Sequence, residues 1–225
     1  MRKLTVLFLL AAGMALPQCR VIDDFTTGLT QMDLRVNGTA LDTNAQTGSM
    51  IGGRRYINFF TYDNPFLQLG ETKVDRTGAL TVSNGVRQWF RLEVSWGIDA
   101  SGHIVPLGYF PTGCDRIRVT FDSNSGVVNF NVQVDTPVTL FEDGINLPAG
   151  AASGLPFCVD FPFSNFLSNT PGAKPDFAAQ GITWMDMVLQ SGPLIGANNF
   201  AITRIETVDP GTAAAAPCTF VANNH

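Results

Sequence analysis

The stretch RIRVTFDSNSGVVNFNVQVD, residues 116–135, restricts the fold of this chain more than any other. Ile117, Val119 and Phe121 alternate with Arg116, Arg118 and Thr120. After DSNSG the alternation resumes, with Val128, Phe130, Val132 and Val134 set against Asn129, Asn131, Gln133 and Asp135. A period of two places the apolar side chains on one face of an extended strand, so each half is a strand with one buried and one polar face. The turn-forming residues between them predict a hairpin. A second hairpin is predicted at GALTVSNGVRQWF, residues 78–90, because Asn84-Gly85 is a strong short-range turn signal. Further strands are expected at 32–37, 54–62, 138–142, 156–161, 181–190 and 199–208. Helix signals are nearly absent; FPFSNFLSNT, 161–170, has room for one turn between Pro162 and Pro171. The class that follows is all-β, an antiparallel two-sheet sandwich.

The N-terminus adds a compartment. Arg2 and Lys3 precede an apolar run from Leu4 to Ala12, and Gly13 and Ala15 suit cleavage after Ala15, so residues 1–15 read as a secretory signal peptide. The run is short for a membrane span, and no later segment reaches the roughly 20 apolar residues one needs. Leu16-Pro17-Gln18-Cys19 offers a lipidation alternative, but Gln18 stands where a small residue is wanted. Lipidation would also leave an odd three cysteines, whereas cleavage after Ala15 leaves Cys19, Cys114, Cys158 and Cys218. An even set in an oxidising compartment favours two disulfides, with three connectivities open. The preferred pairing staples the two ends through Cys19–Cys218 and closes Cys114–Cys158 within.

Removing residues 1–15 leaves 12 Lys and Arg against 19 Asp and Glu, a net charge of −7. That balance argues against nucleic acid as a partner. Residues 16–208 are expected to form a single sandwich domain. Residues 209–225, opening with DPGTAAAAP, are expected to be a tail tied back by a disulfide.

Several segments come in a familiar order: VIDDFTTG at 21–28, GSMIGGRRYINFF at 48–60, GALTVSNG at 78–85, VSWGID at 94–99, GCDRIRVTF at 113–121, FPFSNF at 161–166 and ITRIETV at 202–208. Together they resemble bacterial exported β-sandwich proteins of the PEP-CTERM type, a group related to the jelly-roll folds of carbohydrate-binding modules. The PEP-CTERM sorting tail is missing, with AAAAPCTFVANNH in its place. The resemblance implies a jelly-roll-like sandwich. It also implies a structural calcium held between acids of the first and last strands. Asp23 and Asp24 match the first half of that pattern and Glu206 and Asp209 are the available second half, the alternative being a pair of solvated acids.

Catalysis finds little support. No serine lies in a G-x-S-x-G setting, and the histidines are His103, in a polar loop, and the terminal His225. Glu71, Glu93, Glu142, Asp143 and Asp186 supply carboxylates for glycoside hydrolysis in principle. Asp186 is set apart by its apolar neighbours in TWMDMVL, and a buried structural acid is the preferred account. No enzymatic activity is expected.

Binding is better motivated. In VRQWFRLEVSW, residues 86–96, Trp96 falls on the apolar face of the expected strand and Trp89 on the other, between Arg87 and Arg91. A flat indole beside guanidinium donors suits a sugar, whose C–H face stacks while its hydroxyls are bonded. Tyr56, Asn58, Phe60 and Tyr62 alternate onto one face of 54–62, and Arg54 and Arg55 read as exposed bases where an edge strand begins. The expected ligand site is therefore Trp89, Arg87, Arg91, Tyr56 and Tyr62, on a secreted protein that binds a polysaccharide or another cell-surface component. The alternative for Trp89 is a structural floor beneath a loop. The alternative function is a structural matrix or envelope protein that self-associates through an aromatic face.

Overall fold

The computed structural model describes residues 18–148, 156–192 and 197–223. The signal-peptide reading of residues 1–15 lies outside them. The first strands are β1 (Val21–Asp23), β2 (Thr30–Leu34), β3 (Ala40–Thr47), β4 (Arg54–Asp63), β5 (Gly70–Val74), β6 (Leu80–Ser83) and β7 (Trp89–Trp96). They are followed by β8 (Arg116–Asn124), β9 (Val128–Asp135), β10 (Leu140–Leu147), β11 (Phe157–Pro162), β12 (Leu167–Ser168), β13 (Trp184–Gln190), β14 (Asn199–Val208) and β15 (Phe220–Val221). Two short helices, α1 (Phe177–Gln180) and α2 (Pro210–Ala215), and 3-10 turns at Ile51–Gly53 and Phe163–Asn165 lie in the connections.

The strands form two sheets that pack as a jelly-roll-like sandwich. The first has the order β15-β11-β8-β14-β6-β5-β2, with β1 also paired to β14; the second has the order β12-β10-β9-β13-β7-β4-β3. Every pairing is antiparallel except β11 with β15, so the first sheet is mixed. The inward faces meet in a phenylalanine-rich core. Phe121 stacks on Phe157 at 4.9 Å, and Phe130 meets Phe161 edge-on at 4.9 Å. All four are buried, each burial stabilising by about 1.5–3 kcal/mol.

Both predicted hairpins are strands correctly placed but wrongly paired. β8 lies between β11 and β14 in the first sheet, while β9 lies between β10 and β13 in the second. The turn between them carries the chain across the core, where Phe121 and Phe130 meet edge to face at 5.6 Å. Likewise β6 pairs with β5 and β14, whereas β7 pairs with β4 and β13. Asn84 builds this crossing: its Nδ2 donates to the Gln88 carbonyl at 2.9 Å, and its Oδ1 accepts from the Asn198 N–H at 2.8 Å. A half-buried strand has the same alternation whether its sequence neighbour lies beside it or across from it.

The disulfides also differ from expectation: Cys19 bridges Cys114, and Cys158 bridges Cys218. The sheet order explains why. β1 adds to β14 and β15 adds to β11, so the two chain ends approach opposite parts of the first sheet with β14, β8 and β11 between them. Neighbouring strands are about 4.8 Å apart, which takes Cys19 and Cys218 beyond bridging distance. After residue 208 the chain is held to β11 by the Cys158–Cys218 bridge and by the pairing of β15. Cys19 has no free thiol to acylate.

Arg55 is a further correction. It is fully buried, because β4 lies between β7 and β3 and is no edge. Its Nη1 donates to Asp23 Oδ2 at 2.6 Å, its Nε to Gln46 at 2.7 Å, and its Nη2 to the carbonyls of Thr27 and Gly28. Trp96, in the core as expected, donates its Nε1 to the same Asp23 oxygen at 3.0 Å.

Candidate functional site

The outward face of the second sheet collects the side chains that alternation withholds from the core. On β4, Arg55, Ile57, Phe59 and Thr61 are buried, leaving Tyr56, Asn58, Phe60 and Tyr62 half-exposed on the outer side. The register then sets rows across the strands. Glu142, Gln133, Asp186, Ser95 and Tyr56 form one row, and Asn146, Asn129, Gln190, Arg91 and Phe60 form another. Between them run Gly144, Asn131, Val188, Glu93 and Asn58.

On β10, β9, β13 and β7 these rows enclose a groove of about 470 Å³, lined by Arg91, Asn131, Gln133, Glu142 and Gln190 among others. Its amides are ordered by one another. Asn131 Nδ2 donates to Asn129 Oδ1 at 2.6 Å, Asn129 Nδ2 to Asn146 Oδ1 at 3.0 Å, and Gln133 Nε2 to Glu142 Oε2 at 3.4 Å. Gly144 makes this possible, since a Cβ there would collide with the Asn131 amide. The groove thus offers donors and acceptors on a rigid sheet.

Asp186 faces outward, with Met185 and Met187 turned to the core on either side of it. It is nevertheless buried, and its Oδ1 accepts from Ser95 Oγ at 3.0 Å. Burial, reinforced by the nearby Glu93 carboxylate, pushes its pKa up to about 7. Glu93 is ion-paired with Arg91 and accepts from Asn58 Nδ2 at 3.3 Å. Of the other carboxylates named from sequence, Glu142 reaches this face and Glu71 belongs to the first sheet. Asp143 is buried and accepts from the Gly144 N–H at 2.9 Å.

An aromatic group closes one end of the face. Tyr62 lies 4.9 Å from Trp89 with the rings inclined at 41°, and Phe60 stacks on Tyr62 at 6.4 Å. Trp89 is half-buried, and its Nε1 and Arg91 Nε are buried with no hydrogen-bond partner among the described residues. Four of the five expected ligand residues, Trp89, Arg91, Tyr56 and Tyr62, therefore share one face.

Arg87 does not flank Trp89 as strand alternation implied. β7 begins at Trp89, and Arg87 occupies a turn at φ +58° in which the Gln88 N–H bonds the Gly85 carbonyl. Val86 is exposed for the same reason, and Gln88 is buried. Among the described residues neither Arg87 nor Arg91 lies over the indole; the arginines stacked on rings are Arg20 on Tyr109 and Arg55 over Phe25.

Sequence reasoning overlooked Trp184. It occupies the outer side of β13 two residues before Asp186, and its alternation with Met185 and Met187 was the available signal.

The short first strand does adjoin the last long one, since β1 pairs with β14. Asp23 and Asp24, however, have separate partners. The two oxygens of Asp23 accept from Arg55, Trp96 and the Phe25 N–H. Asp24 accepts from Thr26, whose hydroxyl bond holds it below the usual carboxylate range. No group of three or more His, Cys, Asp or Glu suited to a metal occurs among the described residues. Nor is any helix there long and apolar enough to cross a membrane.

No family model matches this chain, and no curated protein does. Among solved structures it is similar to the family 11 carbohydrate-binding module of the cellulosomal cellulase Lic26A-Cel5E of Clostridium thermocellum, at 11% identity and a TM-score of 0.43, over 87% of this chain and 96% of that one. It is also similar to an exo-β-agarase at 12% identity and a TM-score of 0.36, over 84% of this chain and 25% of the agarase. A further agarase matches at 9% identity and a TM-score of 0.36, over 85% of this chain and 25% of that chain.

Proposed function

We propose that this is an exported, non-enzymatic protein that binds a polysaccharide on the outer face of its second sheet. The observation that carries the reading is the juxtaposition there of a 470 Å³ amide-lined groove with the Tyr62–Trp89 aromatic pair. In this reading the amides of Asn131, Gln133 and Gln190 and the guanidinium of Arg91 bond sugar hydroxyls. Tyr62 and the open part of Trp89 take the apolar face of a ring. Two disulfides and the leader-like N-terminal sequence favour an oxidising compartment.

Tryptophan fluorescence titration against cellulose fragments, mixed-linkage β-glucan, xylan and agarose tests this directly. Saturable binding is expected, weakened about tenfold in Trp89→Ala, as the loss of one aromatic contact implies. New reducing ends are not expected. Absence of binding to every polysaccharide would sink the proposal.

A second reading has its own observation. Phe66, Leu67 and Val86 are exposed in the two turns that precede β5 and β7, and an apolar rim of this kind suits packing between copies. That reading predicts a size on gel filtration that grows with concentration, with no polysaccharide bound.

A further inference from the structure

The dipeptide Asn-Gly occurs twice in this chain, at Asn37-Gly38 and Asn84-Gly85, and the fold treats the two in opposite ways. Such a pair is reactive, because a glycine without Cβ lets its backbone nitrogen approach the preceding asparagine Cγ and close a five-membered ring. Closure needs a side chain free to swing over the next peptide bond and an N–H free to lose its proton. At Asn84-Gly85 both are denied. Asn84 is buried, its Nδ2 donates to the Gln88 carbonyl and its Oδ1 accepts from the Asn198 N–H. The Gly85 N–H in turn donates to Gln88 Oε1 at 3.1 Å.

None of these restraints acts at Asn37-Gly38. Asn37 is exposed in the connection between β2 and β3, beside the exposed Arg35, Val36 and Thr39. Among the described residues neither its amide nor the Gly38 N–H is hydrogen-bonded. Gly38, at φ +84°, faces open space, with nothing within 4 Å of where a Cβ would stand.

We infer that Asn37 is a site of spontaneous covalent modification, converting to aspartate and isoaspartate in the folded protein, and that the crossing built by Asn84 protects the second pair. Hydroxide takes the Gly38 N–H proton, the nitrogen bonds Asn37 Cγ, and the Cγ–Nδ2 bond breaks. The leaving nitrogen takes a proton from water and departs as ammonia, which restores the hydroxide. Water then opens the succinimide. Addition at Cγ gives aspartate; addition at the Asn37 backbone carbonyl carbon gives isoaspartate, whose chain runs through the side chain and is longer by one methylene. Either product adds one negative charge, and water and hydroxide are the only co-reactants. The fold accommodates the change, since β2 and β3 are the edge strands of their sheets and the turn joining them presents Gly38 to open space. The inference is independent of what the outer sheet face binds.

The test incubates the full chain at mildly alkaline pH, folded and in denaturant, and follows both asparagines by peptide mass mapping and ion exchange. In the folded protein Asn37 is expected to convert at least about tenfold faster than Asn84, whose reaction must wait for local opening. In denaturant the two rates are expected to agree within about threefold, both being then the same dipeptide in an open chain. Asn37→Gln is expected to lose the first acidic species on ion exchange and to keep the wild-type melting temperature. Equal rates in the folded protein would overturn the inference, as would an Asn37 that fails to convert when folded, whatever it does in denaturant. Persistence of the first acidic species in Asn37→Gln would place the modification elsewhere and overturn it too.

Discussion

At the scale of single residues, Asp186 ties stability to pH. Its folded pKa of about 7 stands above the ordinary carboxylate value of 3.8, so between those values the folded protein holds a proton that the unfolded chain has released. Stability contributed by that proton is whole below pH 4 and declines as pH rises through 7, where ionisation buries a charge near Glu93. Asp186→Asn keeps an acceptor for Ser95 Oγ and removes the charge. It should therefore stabilise the protein at pH 8, by on the order of 2–4 kcal/mol, and change little at pH 4. Denaturant melts of both proteins at the two pH values check this; an equal effect at both would show that Asp186 does not titrate there. Residue-level placement was legible where alternation applied, as for Tyr56, Tyr62, Trp89 and Trp96. It failed at Arg87, where a positive φ in the turn breaks the period, and at Arg55, whose burial depends on a carboxylate 32 positions away.

At the scale of elements, most strands with an apolar buried face could be read and their partners could not; β5 was missed because its buried side is Gly70, Thr72 and Val74, with one large apolar residue among them. β3 escaped notice because it lies at the edge of its sheet and, in ALDTNAQT, buries only Gln46 fully, leaving no apolar alternation. The Asn84-Gly85 signal was genuine turn chemistry serving a crossing between sheets. That role makes a prediction distinct from a hairpin tip. Asn84→Ala should lower stability by about 1–3 kcal/mol, because the buried Asn198 N–H loses its acceptor. At an exposed hairpin tip the same change would be within about 0.5 kcal/mol. Chemical denaturation of the single variant separates the two.

At the scale of the whole molecule, the covalent frame follows sheet order and not the order of the ends. Digestion without reduction should give one bridged fragment containing Cys19 and Cys114 and another containing Cys158 and Cys218. Recovery of a Cys19–Cys218 fragment would contradict the positions of β1 and β15. Separating the two ends in this way also places β14, almost the last strand, between β8 on one side and β6 and β1 on the other. The first sheet thus lacks its central member until residues 199–208 have been made. A growing chain has β1, β6 and β8 waiting with their edges unpaired, and their lengthy separation from β14 in sequence slows closure. This architecture favours a polypeptide kept unfolded until synthesis is nearly complete, the condition in which a chain is threaded through a narrow translocation channel.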